Sequence, residues 1–180
     1  MKKTLSAIDR VEKYKREMTD TLVNIVGIKA VSPESGGEGE GKRADFLEGM
    51  LKEWGLRPKR YEYLDDNNVK RPSLVVKYGD KNRTVWVMAH TDTVGEGERS
   101  MWKTDPFKGI FKGGKVYGRG SQDDGQGIIA SMYALRALVE ENSPMRYSFG
   151  LALVADEEIG SGYGCQKLVK ENIFKKGTCS

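Results

Sequence analysis

Apolar side chains recur along this chain at two periods, and the period changes where the predicted element changes. Between residues 5 and 28, Ile8, Val11, Tyr14, Met18, Leu22, Ile25 and Val26 fall at helical spacing and predict one amphipathic helix. A second helix is predicted through Ala44, Leu47, Leu51 and Trp54, widened by Phe46 and Met50, with Gly55 as its stop. Short β-branched and aromatic runs then predict strands at 60–63, 73–78 and 85–88, with Asp80-Lys81-Asn82 as a turn before the third. Residues 93–114 read as a long loop with short strands. Ile128, Ile129, Met132, Leu135 and Leu138 predict a helix over 125–140, residues 147–154 a buried strand, and 161–171 a last helix. Helices and buried strands in alternation favour an α/β three-layer domain. There is no internal repeat.

Several elements deliver reactive side chains at their ends. The run Val85 to Ala89 leads into His90-Thr91-Asp92, and His90 is the chain's one histidine. Tyr117-Gly118-Arg119-Gly120-Ser121-Gln122 leads into Asp123-Asp124. The apolar run 149–154 leads into Asp156-Glu157-Glu158. Open α/β sheets assemble their sites at the carboxyl ends of strands, so this order points to a metal-dependent hydrolase. A neutral imidazole is the commonest metal ligand, and an aspartate beside it would fix its orientation. Taken singly, each motif has a plainer reading. His90 could be a satisfied core residue, Asp123 or Asp124 a helix cap, and Glu157 with Glu158 an acid-rich helix start.

Composition narrows the class without deciding it. Across 180 residues, 38% hydrophobic and 31% charged positions suit a globular chain, and no apolar stretch reaches a membrane span. The early charges Lys2, Lys3, Asp9, Arg10 and Glu12 leave no apolar leader core, so the expected location is cytoplasmic. The net charge of +4 is spread along the chain with no basic stripe, which argues against nucleic-acid binding. Cys165 and Cys179 are too few for a disulfide framework. Gly36-Gly37-Glu38-Gly39-Glu40-Gly41-Lys42 has the spacing of a phosphate-binding loop. However, Arg43 stands where Ser or Thr is needed, no strand precedes it, and its glutamates would repel phosphate. It reads as a flexible surface loop. Nucleotide binding at Gly118-x-Gly120 is opposed by Asp123 and Asp124.

Taken in order, His90-Thr91-Asp92, then Trp102 with Asp105-Pro106-Phe107, then Tyr117 to Asp124, then Asp156-Glu157-Glu158-Ile159-Gly160-Ser161 resemble a known family. It is the group of co-catalytic zinc exopeptidases and deacylases that includes acetylornithine deacetylase, succinyl-diaminopimelate desuccinylase, aminoacylase and carnosinase-like dipeptidases. The resemblance runs over nearly the whole chain. It implies a zinc-exopeptidase-like catalytic domain acting on a peptide or N-acyl amino acid. His90 would be a ligand of one zinc, Asp92 the aspartate that orients it, and Asp123 the carboxylate bridging both metals. Glu157 would be the general base and Glu158 a ligand of the other zinc, with cobalt or manganese as alternative metals. It also implies a cis peptide at Asp123-Asp124.

The chain departs from that pattern. The family uses a further acidic ligand and a second histidine, and it inserts a lid or dimerisation domain; none of these has a counterpart here. The expectation is therefore a truncated domain, residues 1–180 being the N-terminal portion of the catalytic unit. A missing complementary segment or a homo-oligomer would complete it, because a cut sheet exposes an apolar edge. Cys179 could stand in as a soft ligand. The competing expectation is an inactive remnant that serves as a binding or oligomerisation module.

Overall fold

The structure, a computed structural model, describes residues 6–174. The tail from Lys175 to Ser180, including Cys179, lies outside the described residues. The first helical stretch is two helices, α1 (Ala7–Lys13) and α2 (Lys15–Gly27), where one was expected. A capping box starts α1: the Ser6 hydroxyl accepts from the Asp9 amide, and the Asp9 carboxylate accepts from the Ser6 amide. The break falls at Tyr14. Its amide bonds Val11 O at 2.9 Å, three residues back, its ring lies 5.4 Å from that of Tyr133, and its hydroxyl donates to Glu140. Tertiary partners thus tighten one turn that periodicity left continuous.

Helix α3 (Gly41–Glu53) leads to the hairpin β1 (Lys59–Leu64) and β2 (Lys70–Tyr78), then β3 (Thr84–His90). A small ribbon follows, β4 (Ile110–Lys112) with β5 (Lys115–Tyr117). Its tight turn needs positive φ at both Gly113 and Gly114, 60° and 76°, which glycine adopts without penalty. Helix α4 (Gly127–Glu140), strand β6 (Ser148–Val154) and the short α5 (Cys165–Lys170) complete the order. The main sheet runs β1-β2-β6-β3. Strand β6 is antiparallel to β2 but parallel to β3, with Ala89 opposite Leu153 and His90 opposite Val154. Helix α4 supplies the crossover that a parallel pair requires.

The period of two sorts each strand between faces. Leu74, Val76, Leu151 and Leu153 turn to the side of α1–α4, where they pack with Leu47, Leu51, Ile128, Met132 and Leu135. Val75, Ala152 and Val154 turn the other way and meet Leu168 of α5, with Trp86 and Phe174 alongside. Helix α5 is shorter than the predicted 161–171. The chain after β6 first folds back on itself: the Tyr163 amide bonds the Asp156 carboxylate, and a Cβ on Gly164 would lie 1.8 Å from Ala155 O. That close approach delays the helix. No helix of the described residues is long and apolar enough to cross a membrane.

Candidate metal centre

Three chain segments converge at the carboxyl ends of β3 and β6. His90 closes β3 and is 7% exposed. Its Nε2 lies 2.7 Å from Asp123 Oδ1 and 3.9 Å from Glu157 Oε2. Its Nδ1 faces the backbone carbonyl of Asp92 at 3.1 Å and the carboxylate at 3.6 Å. One ligand atom from each of His90, Asp123 and Glu158 falls within 4.8 Å of the others. Among the described residues this is the one such group of histidine, cysteine or acidic side chains. A nitrogen with two carboxylate oxygens fits a borderline divalent ion.

Asp92 ties the centre together. It is fully buried, and it accepts from the amides of Glu157 and Glu158, each at 3.0 Å, and from Ser32 Oγ at 3.4 Å. The carboxylate thus anchors the acidic turn on its β6 side, while on its β3 side it stands 3.6 Å from His90 Nδ1, whose hydrogen bond goes to the Asp92 backbone carbonyl. Burial pushes its pKa up, but His90 and the hydrogen bonds from the two amides outweigh this and hold it below the usual range. For His90, burial disfavours the charged ring, and Asp92 and Asp123 overcome it, raising the pKa to about 10. Burial raises the Glu158 carboxyl, with Asp123 adding repulsion.

The two readings of the acid pair divide between its members. Asp124 Oδ2 accepts from the His90 amide at 3.1 Å, and its carboxylate also receives the Gly127 amide at the start of α4. A Cβ at Gly127 would sit 2.1 Å from Asp124 Oδ1. Asp124 is therefore the cap, and Asp123, its side chain 74% exposed, faces the cluster. The peptide between them is cis. Cys165, a free thiol whose pKa burial raises, takes no part.

The glycine-rich loop lies at the surface through Gly36, Glu38 and Lys42, as expected, but Gly39 and Glu40 are buried. Glu40 at its end is fully buried, and its Oε1 meets Arg71 Nε at 2.9 Å. Arg43, set aside as a mismatch to a phosphate motif, is 1% exposed and braces the site from beneath. It donates to Thr91 O at 3.0 Å and to Ile28 O at 2.9 Å, fixing the turn between His90 and Asp92. Burial lowers its pKa to about 10. The sequence carried no clear signal for this network, since Arg71 is one of three basic residues in β2, with Lys70 and Lys77.

The profile of peptidase family M20/M25/M40 matches residues 86–179, just over half of the chain. The chain belongs to this family. An uncharacterized metallohydrolase of Methanocaldococcus jannaschii is 35% identical over 164 residues, covering 85% of this chain and 40% of its own. The succinyl-diaminopimelate desuccinylase of Rickettsia felis is 26% identical, covering 87% of this chain and 40% of its own. The solved structure of the di-peptidase Dug1p of Saccharomyces cerevisiae superposes with a TM-score of 0.80 at 22% identity, over 96% of this chain and 39% of that one. The M20 fold is therefore shared. The chain spans about 40% of the length of the curated relatives it matches.

Proposed function

We propose that this M20 chain carries part of a metal-dependent amide hydrolase centre, of dipeptidase or N-acyl-amino-acid deacylase type. The observation that carries the reading is the convergence of His90, Asp123 and Glu158 within 4.8 Å over a buried Asp92. In it, His90 Nε2 and the carboxylates of Asp123 and Glu158 would hold zinc, with cobalt or manganese as alternatives. A bound divalent ion supplies Lewis acidity, polarising a carbonyl and making water nucleophilic near neutral pH. Asp92 orients the His90 ring through Nδ1 so that Nε2 points at Asp123, where a metal would take the place of the proton that Nε2 shares with that carboxylate. Glu157 is the general base: its side chain is 52% exposed, 3.9 Å from His90 Nε2, and its amide is anchored on Asp92. Its carboxylate can take a proton from water and return it to a leaving amine.

Three donors are few for two metals, since catalytic zinc sites ordinarily use three protein ligands each. The isolated chain is therefore expected to bind zinc weakly and to hydrolyse little. The test is zinc uptake and affinity of the purified chain against His90→Ala. Binding that the variant loses supports the centre, and binding that the variant keeps overturns it. Affinity of about micromolar or tighter would show that the site is completed, by a second copy or by the tail.

A second reading, an inactive remnant acting as an oligomerisation module, has one observation in its favour. Strand β3 ends the sheet with no partner on its outer side among the described residues, and Met88 on it is 44% exposed. An open edge of this kind invites pairing with another copy. Light scattering decides it: a monomer at high concentration removes this reading.

A further inference from the structure

Behind the acidic turn lies a buried charge cluster that the proposed chemistry does not use. The Arg71 side chain is fully buried. Its Nε meets Glu40 Oε1 at 2.9 Å, and its terminal nitrogen meets Asp156 Oδ1 at 2.9 Å, Asp65 Oδ2 at 3.4 Å and Glu34 Oε2 at 3.6 Å. The side chains of Glu40, Asp65 and Asp156 are at most 2% exposed. One guanidinium thus gathers four carboxylates from the loop before α3, the β1–β2 turn and the end of β6. Arg71 Nη2, Glu40 Oε2 and Asp156 Oδ1 are buried with no hydrogen-bond partner among the described residues, so Arg71 holds Asp156 as an ion pair and not through an aligned hydrogen bond. Buried charges of this kind weaken a fold unless their geometry is held, so the cluster calls for a role.

We propose that Arg71 is a positioning residue for the acidic turn that presents Glu157 and Glu158; the proposal rests on the reading of those two residues as base and ligand. Asp156 sits in the left-handed region, φ 66° and ψ 20°, which aspartate visits more readily than most residues with a Cβ but in which it stays fixed only where contacts hold it. Three contacts do so: Arg71 on Oδ1, the Tyr163 amide on Oδ2 at 2.8 Å, and the Ser161 amide on the Asp156 carbonyl at 2.6 Å. That conformation turns the next two amides onto Asp92, the carboxylate that also faces His90. A continuous line of contact therefore runs from Glu40 through Arg71 and Asp156 to the turn, Asp92 and the imidazole. Arginine suits this place because its planar fork reaches Glu40 and Asp156 from different nitrogens, which a lysine ammonium does not.

The test is amide hydrogen exchange by NMR on the metal-free full chain, with zinc affinity measured in parallel, for wild type, Arg71→Lys and Asp156→Asn. Asparagine keeps an acceptor for the Tyr163 amide but removes the charge that Arg71 grips. Both variants are expected to lower protection at the Glu157 and Glu158 amides about tenfold, while Leu151 and Leu153 in β6 stay within about twofold. Zinc affinity should fall with them by a similar factor. Wild-type protection of both turn amides in a folded variant overturns the proposal, as does protection lost equally along β6. If Arg71→Lys does not fold, Asp156→Asn decides alone. Failure of the metal reading shows separately: no zinc uptake by wild type, with the exchange result intact.

Discussion

Asp92→Asn tests the centre with the least disturbance, since it keeps the side chain's shape and removes one charge. The native carboxylate places an oxygen 3.0 Å from each of two amides, Glu157 N and Glu158 N, in a fully buried position. The asparagine NH2 must take one of those places, so a donor faces a donor. A hydrogen bond to a charged group contributes about 1.5–3 kcal/mol, and the surviving one falls to about 0.5–1.5 kcal/mol as a neutral bond. Relief from burying an ion offsets part of the loss. The net destabilisation is about 2–4 kcal/mol, or a melting temperature lower by about 5–15 °C in a domain of this size. The assay is urea and thermal unfolding near pH 7 in chelator. The sign with pH follows from the depressed pKa: the contribution is present above the ordinary aspartate value of 3.8 and is lost as pH falls through the lower folded value. The gap between wild type and variant should therefore shrink in acid. A gap below about 0.5 kcal/mol near neutral pH, or one unchanged in acid, refutes the account of Asp92 as the charged tie between β3 and the acidic turn.

Removing the imidazole with His90→Ala should weaken zinc binding by more than about tenfold in titration calorimetry, and an unchanged affinity would place the metal elsewhere. In chelator, the raised pKa of His90, about 10 against 6.5, means that its stabilisation is full below the unfolded value and lost as pH rises through the folded one. Melting curves across that window should converge for wild type and His90→Asn, and parallel curves would count against the paired, charged ring. Gly164→Ala puts a Cβ 1.8 Å from Ala155 O, so the backbone must shift; a loss of about 1–3 kcal/mol or more is expected in urea unfolding, and a neutral variant would show that the close approach is relaxed. Leu151→Ala in the sheet centre should lose about 2–5 kcal/mol in the same assay, and a loss near that of a surface change would mean that the core collapses around the gap.

Local pattern was enough for most of the fold and for the order of the site. The β-branched run at 73–78 and the apolar run at 149–154 report buried strands, and β2 and β6 lie there with Leu74, Val76, Leu151 and Leu153 packed against the helices. His90-Thr91-Asp92, Asp123-Asp124 and Asp156-Glu157-Glu158 could be singled out as segments because each follows an apolar run or a glycine turn, and such ends meet at one edge of an α/β sheet, while the choice of Asp123 and Glu158 within them rested on the family resemblance. The sequence by itself therefore determined which faces are buried and which groups reach the sheet's carboxyl end. Only the tertiary structure decided who stands opposite whom. It divided Asp124 as cap from Asp123 as cluster member, broke the first helix at Tyr14 against Tyr133, and turned the end of the glycine-rich loop inward so that Glu40 meets Arg71, 31 residues away. It also placed Arg43 under Thr91 and the Glu157 and Glu158 amides on Asp92. The physical reason is that periodicity depends on a residue's own neighbours along the chain. The burial of a charge depends on counter-charges and amides that arrive from distant segments once the chain has closed around them.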